Sequence, residues 1–153
     1  MIKIILAIVV VLLLGYLGYG FEKYYKTRLK ILNDYNKFLI FTEQETAFLK
    51  SSVTELIERF EYSSTKLKEI LSKISNGEVI DCIYLNKDIT NAIKRFLDEL
   101  SKADYYFKDK VILGAKNNVL ELIKQAEKDQ TQKGEMGRKL IILLGIGLII
   151  MII

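Results

Sequence analysis

Residues 4–21 read IILAIVVVLLLGYLGYGF and residues 140–153 read LIILLGIGLIIMII. The first run holds 18 residues without a charge. As a helix at about 1.5 Å per residue it extends roughly 27 Å, close to the thickness of a bilayer core. The second run holds 14 residues, about 21 Å as a helix, which is short for a span. Arg138 and Lys139 in front of it can snorkel and lengthen it. A helix that is apolar all round has no polar face to offer water, so this run does not read as part of a soluble core. Tyr16, Tyr19, Tyr24 and Tyr25 close the first run, where an aromatic belt belongs. The rival reading of the first run is a signal peptide, with Gly18 and Gly20 at a small-residue cleavage site. Its basic region would be only Met1 to Lys3, and five Lys/Arg follow between 22 and 40, so a membrane anchor fits better. Gly15, Gly18, Gly145 and Gly147 are expected to let the two apolar helices approach closely.

Between the runs, residues 22–139 carry every Asp and Glu and every Lys and Arg except Lys3. That is 22 cations (23 less Lys3) against 19 anions, a net charge of +3. The organisation is therefore an N-terminal transmembrane helix over 1–21, a charged middle over 22–139 and a short C-terminal transmembrane helix over 140–153. Lys23, Lys26 and Arg28 flank the first helix, and Arg138 and Lys139 flank the second. The positive-inside rule then places the middle in the cytoplasm and both ends outside. A single unpaired Cys82 agrees with a reducing compartment.

The composition excludes much chemistry. The chain has no His and one Cys. No His/Cys metal site, multi-Cys haem or iron–sulfur ligation, His-activated nucleophile or intrachain disulfide can be built. A net +3 is too weak an electrostatic footprint for a nucleic-acid reader. The Gly residues form no phosphate-binding loop. Glu55 and Glu58 share a charged helix face beside Arg59, which suits solvated surface better than a pair of catalytic carboxylates. Cys82, with no basic neighbour in sequence, reads as a small core hydrophobe. No catalytic residue, cofactor, metal or small-molecule substrate is expected.

The middle reads as helix throughout. Tyr25, Leu29, Leu32, Tyr35 and Leu39 recur at three and four, as do Ile89, Ile93, Phe96, Leu97 and Leu100. Val111, Leu113, Val119, Leu120, Ile123 and Ala126 form a less regular third stripe. Ser52-Val53-Thr54-Glu55 is a capping box. Ser64 or Thr65 starts a helix to about Ser75, and Asn76-Gly77 stops it. Asn86 caps a helix over 87–100, and the 101–104 stretch looks like another cap with Asp104 in the first turn. The pattern then continues to Lys133, where Gly134 and Gly137 loosen the join to the last apolar run. Residues 79–85, VIDCIYL, would also suit a strand, but their surroundings favour helix. The chain has no Pro, which permits long unbroken helices. The fold expected is all-α: a cytoplasmic helical bundle of four to six helices, flanked by membrane helices at both ends.

Two surfaces could meet partners. The flanking cations suit lipid headgroups. Three consecutive aromatics, Tyr105-Tyr106-Phe107, cannot all face one core, and an exposed aromatic favours an interface. With the Asn76-Gly77 turn they define a candidate partner surface of Lys73, Glu78, Lys102, Tyr105, Tyr106 and Lys108.

The layout resembles the stage III sporulation protein AB family. Tyr24-Tyr25-Lys26-Thr27-Arg28-Leu29 is similar to that family's Tyr, basic residue and Leu-rich helix after the first anchor. Glu45 with Phe48 resembles its Glu followed by an aromatic. Ser51-Ser52-Val53 stands where the family has Thr-Pro-Leu, and the Pro is missing. Leu100-Ser101-Lys102-Ala103-Asp104 resembles its Leu-Gly-x-x-Asp turn, with Ser for Gly. In the last run Arg138, Leu140 and Gly145 match, while Ile141 and Ile146 replace a Gly and a Leu. The resemblance implies a reduced, non-enzymatic relative of the type II secretion F platform proteins, on the mother-cell side of a sporulation channel. It implies as partners a secretion-type ATPase and other channel-complex proteins. The alternative is a holin-like or toxin-like membrane-permeabilising protein, for which the large helical middle would be surplus.

Overall fold

The computed structural model describes residues 2–48, 52–78, 80 and 82–152; for 2–7, 47–48, 105–106 and 152 it describes the backbone alone. Among these residues the structure is all-helical, without strands. Six α-helices follow in order: α1 Ile2–Phe48, α2 Val53–Arg59, α3 Thr65–Ser75, α4 Lys87–Lys102, α5 Tyr105–Asp129 and α6 Met136–Ile152. A π-helical turn, Gln130–Glu135, joins α5 to α6 without a break. The chain divides into two compact units, 1–29 with 125–153, and 30–124.

The 30–124 unit is organised around the second part of α1. Ile31, Leu32, Phe38 and Leu39 are fully buried on one face, with Tyr35 beside them. Thr42 and Thr46 continue that face because each hydroxyl donates to a carbonyl four residues back, Phe38 at 2.8 Å and Thr42 at 2.7 Å. A buried hydroxyl so satisfied no longer carries its desolvation cost. Helices α2, α3 and α4 pack on one another. The α4 stripe of Ile89, Ile93, Phe96, Leu97 and Leu100 is buried as its spacing predicts. Phe96 meets Tyr35 edge-on at 6.2 Å between ring centres, and Phe60 meets Phe38 at 5.5 Å. Burial pushes the Tyr35 phenol well above its usual pKa.

The caps follow the sequence closely. Ser52 Oγ accepts from the Glu55 amide at 3.2 Å while Glu55 Oε2 accepts from the Ser52 amide at 3.0 Å, a complete capping box. Asn86 Oδ1 accepts from the Ile89 amide at 3.1 Å and starts α4. At the end of α3, Glu78 N–H donates to Lys73 O and Gly77 N–H to Ile74 O, with Gly77 at φ +75°. That pair of bonds is the Schellman stop.

Four sequence expectations change. The 79–85 segment is not helix: Ile80 and residues 82–86 form an irregular turn, closed by Leu85 N–H to Cys82 O at 3.3 Å, with 79 and 81 outside the described residues. A Schellman stop on one side and an Asn cap on the other leave too few residues to nucleate a helix. Ser101 is not a cap, because α4 runs on to Lys102 and the Ser101 hydroxyl donates to Asp98 O. Asp104 fills that place, its carbonyl accepting from Phe107 and Lys108 amides at the start of α5. On α5 the buried face is Ile112, Val119, Ile123 and Ala126, with Leu113 and Leu120 exposed. Finally, Gly134 does not loosen the α5–α6 join. The helix passes through it by widening, Met136 N–H donating to Thr131 O five residues back.

Among the described residues no helix is long and apolar enough to cross a membrane. The run 4–21 begins with side chains outside that description, and the run 140–153 ends outside it.

Candidate functional site

In the unit formed by 1–29 and 125–153, α1 lies beside α5, the π turn and α6. Small residues set the approach. A Cβ on Gly18 would meet Arg138 Cγ at 3.5 Å, and one on Gly145 would meet Leu14 Cδ1 at 3.0 Å. A Cβ on Gly137 would meet the Phe21 ring at 3.2 Å, and one on Gly134 would touch Tyr25 at 3.4 Å. Gly15 and Gly147, expected at the same contact, have no described atom of another turn or helix within 4 Å. Gly134 and Gly137 take the close-approach role instead. The rings they admit form a ladder, Phe21 to Tyr25 at 5.6 Å and Tyr25 to Tyr24 at 5.1 Å, both edge-on.

The flanking cations are not a bare collar. Glu22 is buried and receives two of them, Lys26 Nζ at 2.6 Å and Arg138 Nη1 at 2.6 Å. Lys26 above all, then Arg138, holds the Glu22 carboxyl below the usual carboxylate range. Asp129 receives Lys133 Nζ at 2.7 Å and lies 3.6 Å from Arg28 Nη1. The Asp129 hydrogen bond raises the Lys133 pKa above its ordinary value. Lys23 lies 6.0 Å from the Tyr19 ring centre, and Lys139 is exposed. Thus Arg28 and Arg138 link elements, and Lys26 braces α1, through two carboxylates that sequence reasoning passed over. Their signal was weak: a Glu four residues before a Lys also marks any solvated helix face.

Away from these charges most apolar side chains of α6 and of α1 up to Phe21 point outward. Leu12, Leu143 and Leu144 are 65% exposed or more, and Ile150 and Met151 more still. Tyr16 and Tyr19 are exposed as well.

In the 30–124 unit the candidate partner residues separate. Lys73 binds Glu69 at 2.7 Å near the end of α3. That bond raises the Lys73 pKa and lowers that of Glu69. Lys73 lines a groove of about 210 Å³ with Lys66, Cys82 and Tyr84, in which Lys66 Nζ stands 3.7 Å over the Tyr84 ring. Cys82 is half-buried there rather than in the core. Lys102 pairs with Asp98 at 2.8 Å, and Glu78 is exposed. Lys108 lines a different groove, with Ser101 and Lys94. The side chains of Tyr105 and Tyr106 lie outside the described residues; Phe107, next to them, is 61% exposed. Glu45 pairs with Arg59 at 2.7 Å, and Glu55 serves its capping box. Among the described residues no group of three or more His, Cys, Asp or Glu could hold a metal ion.

Against known proteins, no curated protein and no solved structure matches the chain. A family model described as stage III sporulation protein AB matches residues 77–153. The matched stretch contains Leu100, Asp104, Arg138, Leu140 and Gly145 of the residues that carry the resemblance; Tyr25, Arg28 and Glu45 precede it. It spans α4 to α6 and covers half of the chain, so the chain belongs to the stage III sporulation protein AB family and is a sporulation-related protein.

Proposed function

We propose that the protein is a non-enzymatic platform of a sporulation channel complex, anchored in the cell membrane through both ends, with its helical middle in the mother-cell cytoplasm. The observation that carries the anchoring is the outward apolar surface of α1 and α6. Side chains such as Leu12, Leu143 and Met151, at 67%, 67% and 86% exposed, are stable as neighbours of lipid and costly in water. The Glu22–Arg138 and Asp129–Lys133 pairs stand at the polar end of the two apolar runs, their cations exposed, where an interface would keep those cations hydrated. Family membership supports the sporulation setting. The resemblance to secretion platforms supports the role: the middle helps hold a secretion-type ATPase at the membrane and meets other channel-complex proteins there.

The deciding experiment is a side-of-membrane assay. Cys82→Ser removes the native thiol, and Asn76→Cys places one at the exposed α3 turn. Protoplasts of the sporulating mother cell are treated with a membrane-impermeant maleimide, with lysed cells as control. Labelling only after lysis is the expected result. Labelling of intact protoplasts would put the middle outside and remove any direct contact with a cytoplasmic ATPase. The docking part is checked separately, by reversing Lys73, Glu78, Lys102 and Lys108 together. Weaker co-purification of the ATPase is expected, and unchanged co-purification would clear that surface.

A further inference from the structure

A groove of about 770 Å³ opens in the 30–124 unit where α1 to α5 all contribute lining residues. Its floor is built core: Leu56, Leu97 and Leu100 are 4% exposed or less. Its rim is polar and carries three cations, Lys94 and Arg95 from α4 and Lys108 from α5. Among the described residues none of the three has a carboxylate partner. The one carboxylate among the described lining residues, Asp98, is held by Lys102 at 2.8 Å. One exposed lysine is ordinary solvated surface. Three cations without a carboxylate partner, lining one groove over a low-dielectric floor, favour a positive potential in a concave place.

We propose that this groove docks a short acidic segment of a protein partner, its carboxylates on Lys94, Arg95 and Lys108. The inference rests on the reading of the helical middle as a docking module, but not on the membrane side or on the partner's identity. A folded small ligand site is the poorer fit, since the described lining residues include no aromatic and Lys94 and Arg95 stand at an exposed rim. Single-stranded nucleic acid fits poorly on the same ground, since none of the described lining residues offers a ring to stack on. The hydroxyls of Thr54 and Ser75 on the same rim supply donors for the backbone carbonyls of an extended segment.

The test uses the full-length protein in detergent micelles and a fluorescein-labelled peptide in which Glu alternates with Ser and Leu. Its Lys-for-Glu counterpart and a single-stranded oligonucleotide of equal charge are the comparison probes. The acidic peptide should bind and the basic one should not. Binding should weaken as added salt shortens the screening length from about 10 Å at 0.1 M to about 3 Å at 1 M. The triple variant Lys94→Glu, Arg95→Glu, Lys108→Glu should weaken it by about tenfold or more. The Gln versions of the three, which remove the charges without reversing them, should weaken it less. Lys37→Glu, exposed on α1, should leave it unchanged. Failure of the wild type to bind the peptide, or equal binding by the triple variant, would overturn the proposal. So would tighter binding of the oligonucleotide, or self-association of the wild type that the triple variant loses, since the occupant would then be a second copy. A failed side-of-membrane assay leaves this result standing, and the reverse also holds.

Discussion

Gly77 is the residue on which the end of α3 depends. At φ +75° it lets two amides fold back onto Ile74 and Lys73. Beyond its chain neighbours, no described atom lies within 4 Å of where its Cβ would be, so substitution acts chiefly through the backbone. Gly77→Ala should cost about 1 kcal/mol. For a chain of this size that is a fall of roughly 2–4 °C in the thermal midpoint, with the far-UV spectrum unchanged. Gly77→Asn should cost less, because Asn enters the left-handed region more readily. Signals of this kind were legible because their chemistry is local: Gly77, Ser52 and Asn86 each act within five residues of themselves. Glu22 was not legible. One of its partners, Arg138, is 116 residues away, and only the folded α1–α6 contact makes that carboxylate a junction rather than a surface charge.

At the scale of elements, α4 and α5 differ in how far a sequence can be trusted. The α4 stripe is the only apolar line on its helix, so its buried face followed directly. Helix α5 carries two parallel lines seven residues apart, Ile112–Val119 and Leu113–Leu120, and only the first is buried. Periodicity cannot choose between them, because both satisfy it and the choice lies with the neighbouring helix. The contact between α1 and α6 has a pH dependence that follows from Glu22. Its folded pKa is lowered from an ordinary 4.5. The Glu22 contribution is therefore fully present above about that value and is lost as pH falls through the lowered one. Lys133, with its pKa raised from 10.5, behaves oppositely, its contribution being lost as pH rises through the raised value. The thermal midpoint of the protein in detergent should be level between these ranges and fall on the acid side. Glu22→Gln should lower the neutral plateau and flatten the acid fall. An acid limb identical in both proteins would mean that the pair carries no stability.

For the whole molecule, the two units use the same side chains in opposite directions. In the 30–124 unit Leu32, Leu39, Leu67 and Leu71 are fully buried. In the other, Leu12, Leu13, Leu143 and Leu144 are 59% exposed or more. This inversion was legible from run length, since an uninterrupted apolar run leaves no polar face to turn outward. The order of elements within the charged middle was less legible at 79–85, where composition is compatible with helix or strand and the caps on either side decide. The inversion makes a definite prediction about extraction. If lipid covers the outward face, the wild-type protein stays with the membrane pellet after alkaline carbonate. Leu143→Lys with Leu144→Lys places two charges on α6 at roughly 2.5–3.5 kcal/mol each near a bilayer centre. That pair alone should leave the protein in the pellet, held by α1. Adding Leu12→Lys and Leu13→Lys should release it. Leu113→Lys, on an exposed position of α5 in the other unit, should change nothing. Wild-type protein in the carbonate supernatant would mean that a partner protein, not lipid, covers the apolar face of α1 and α6.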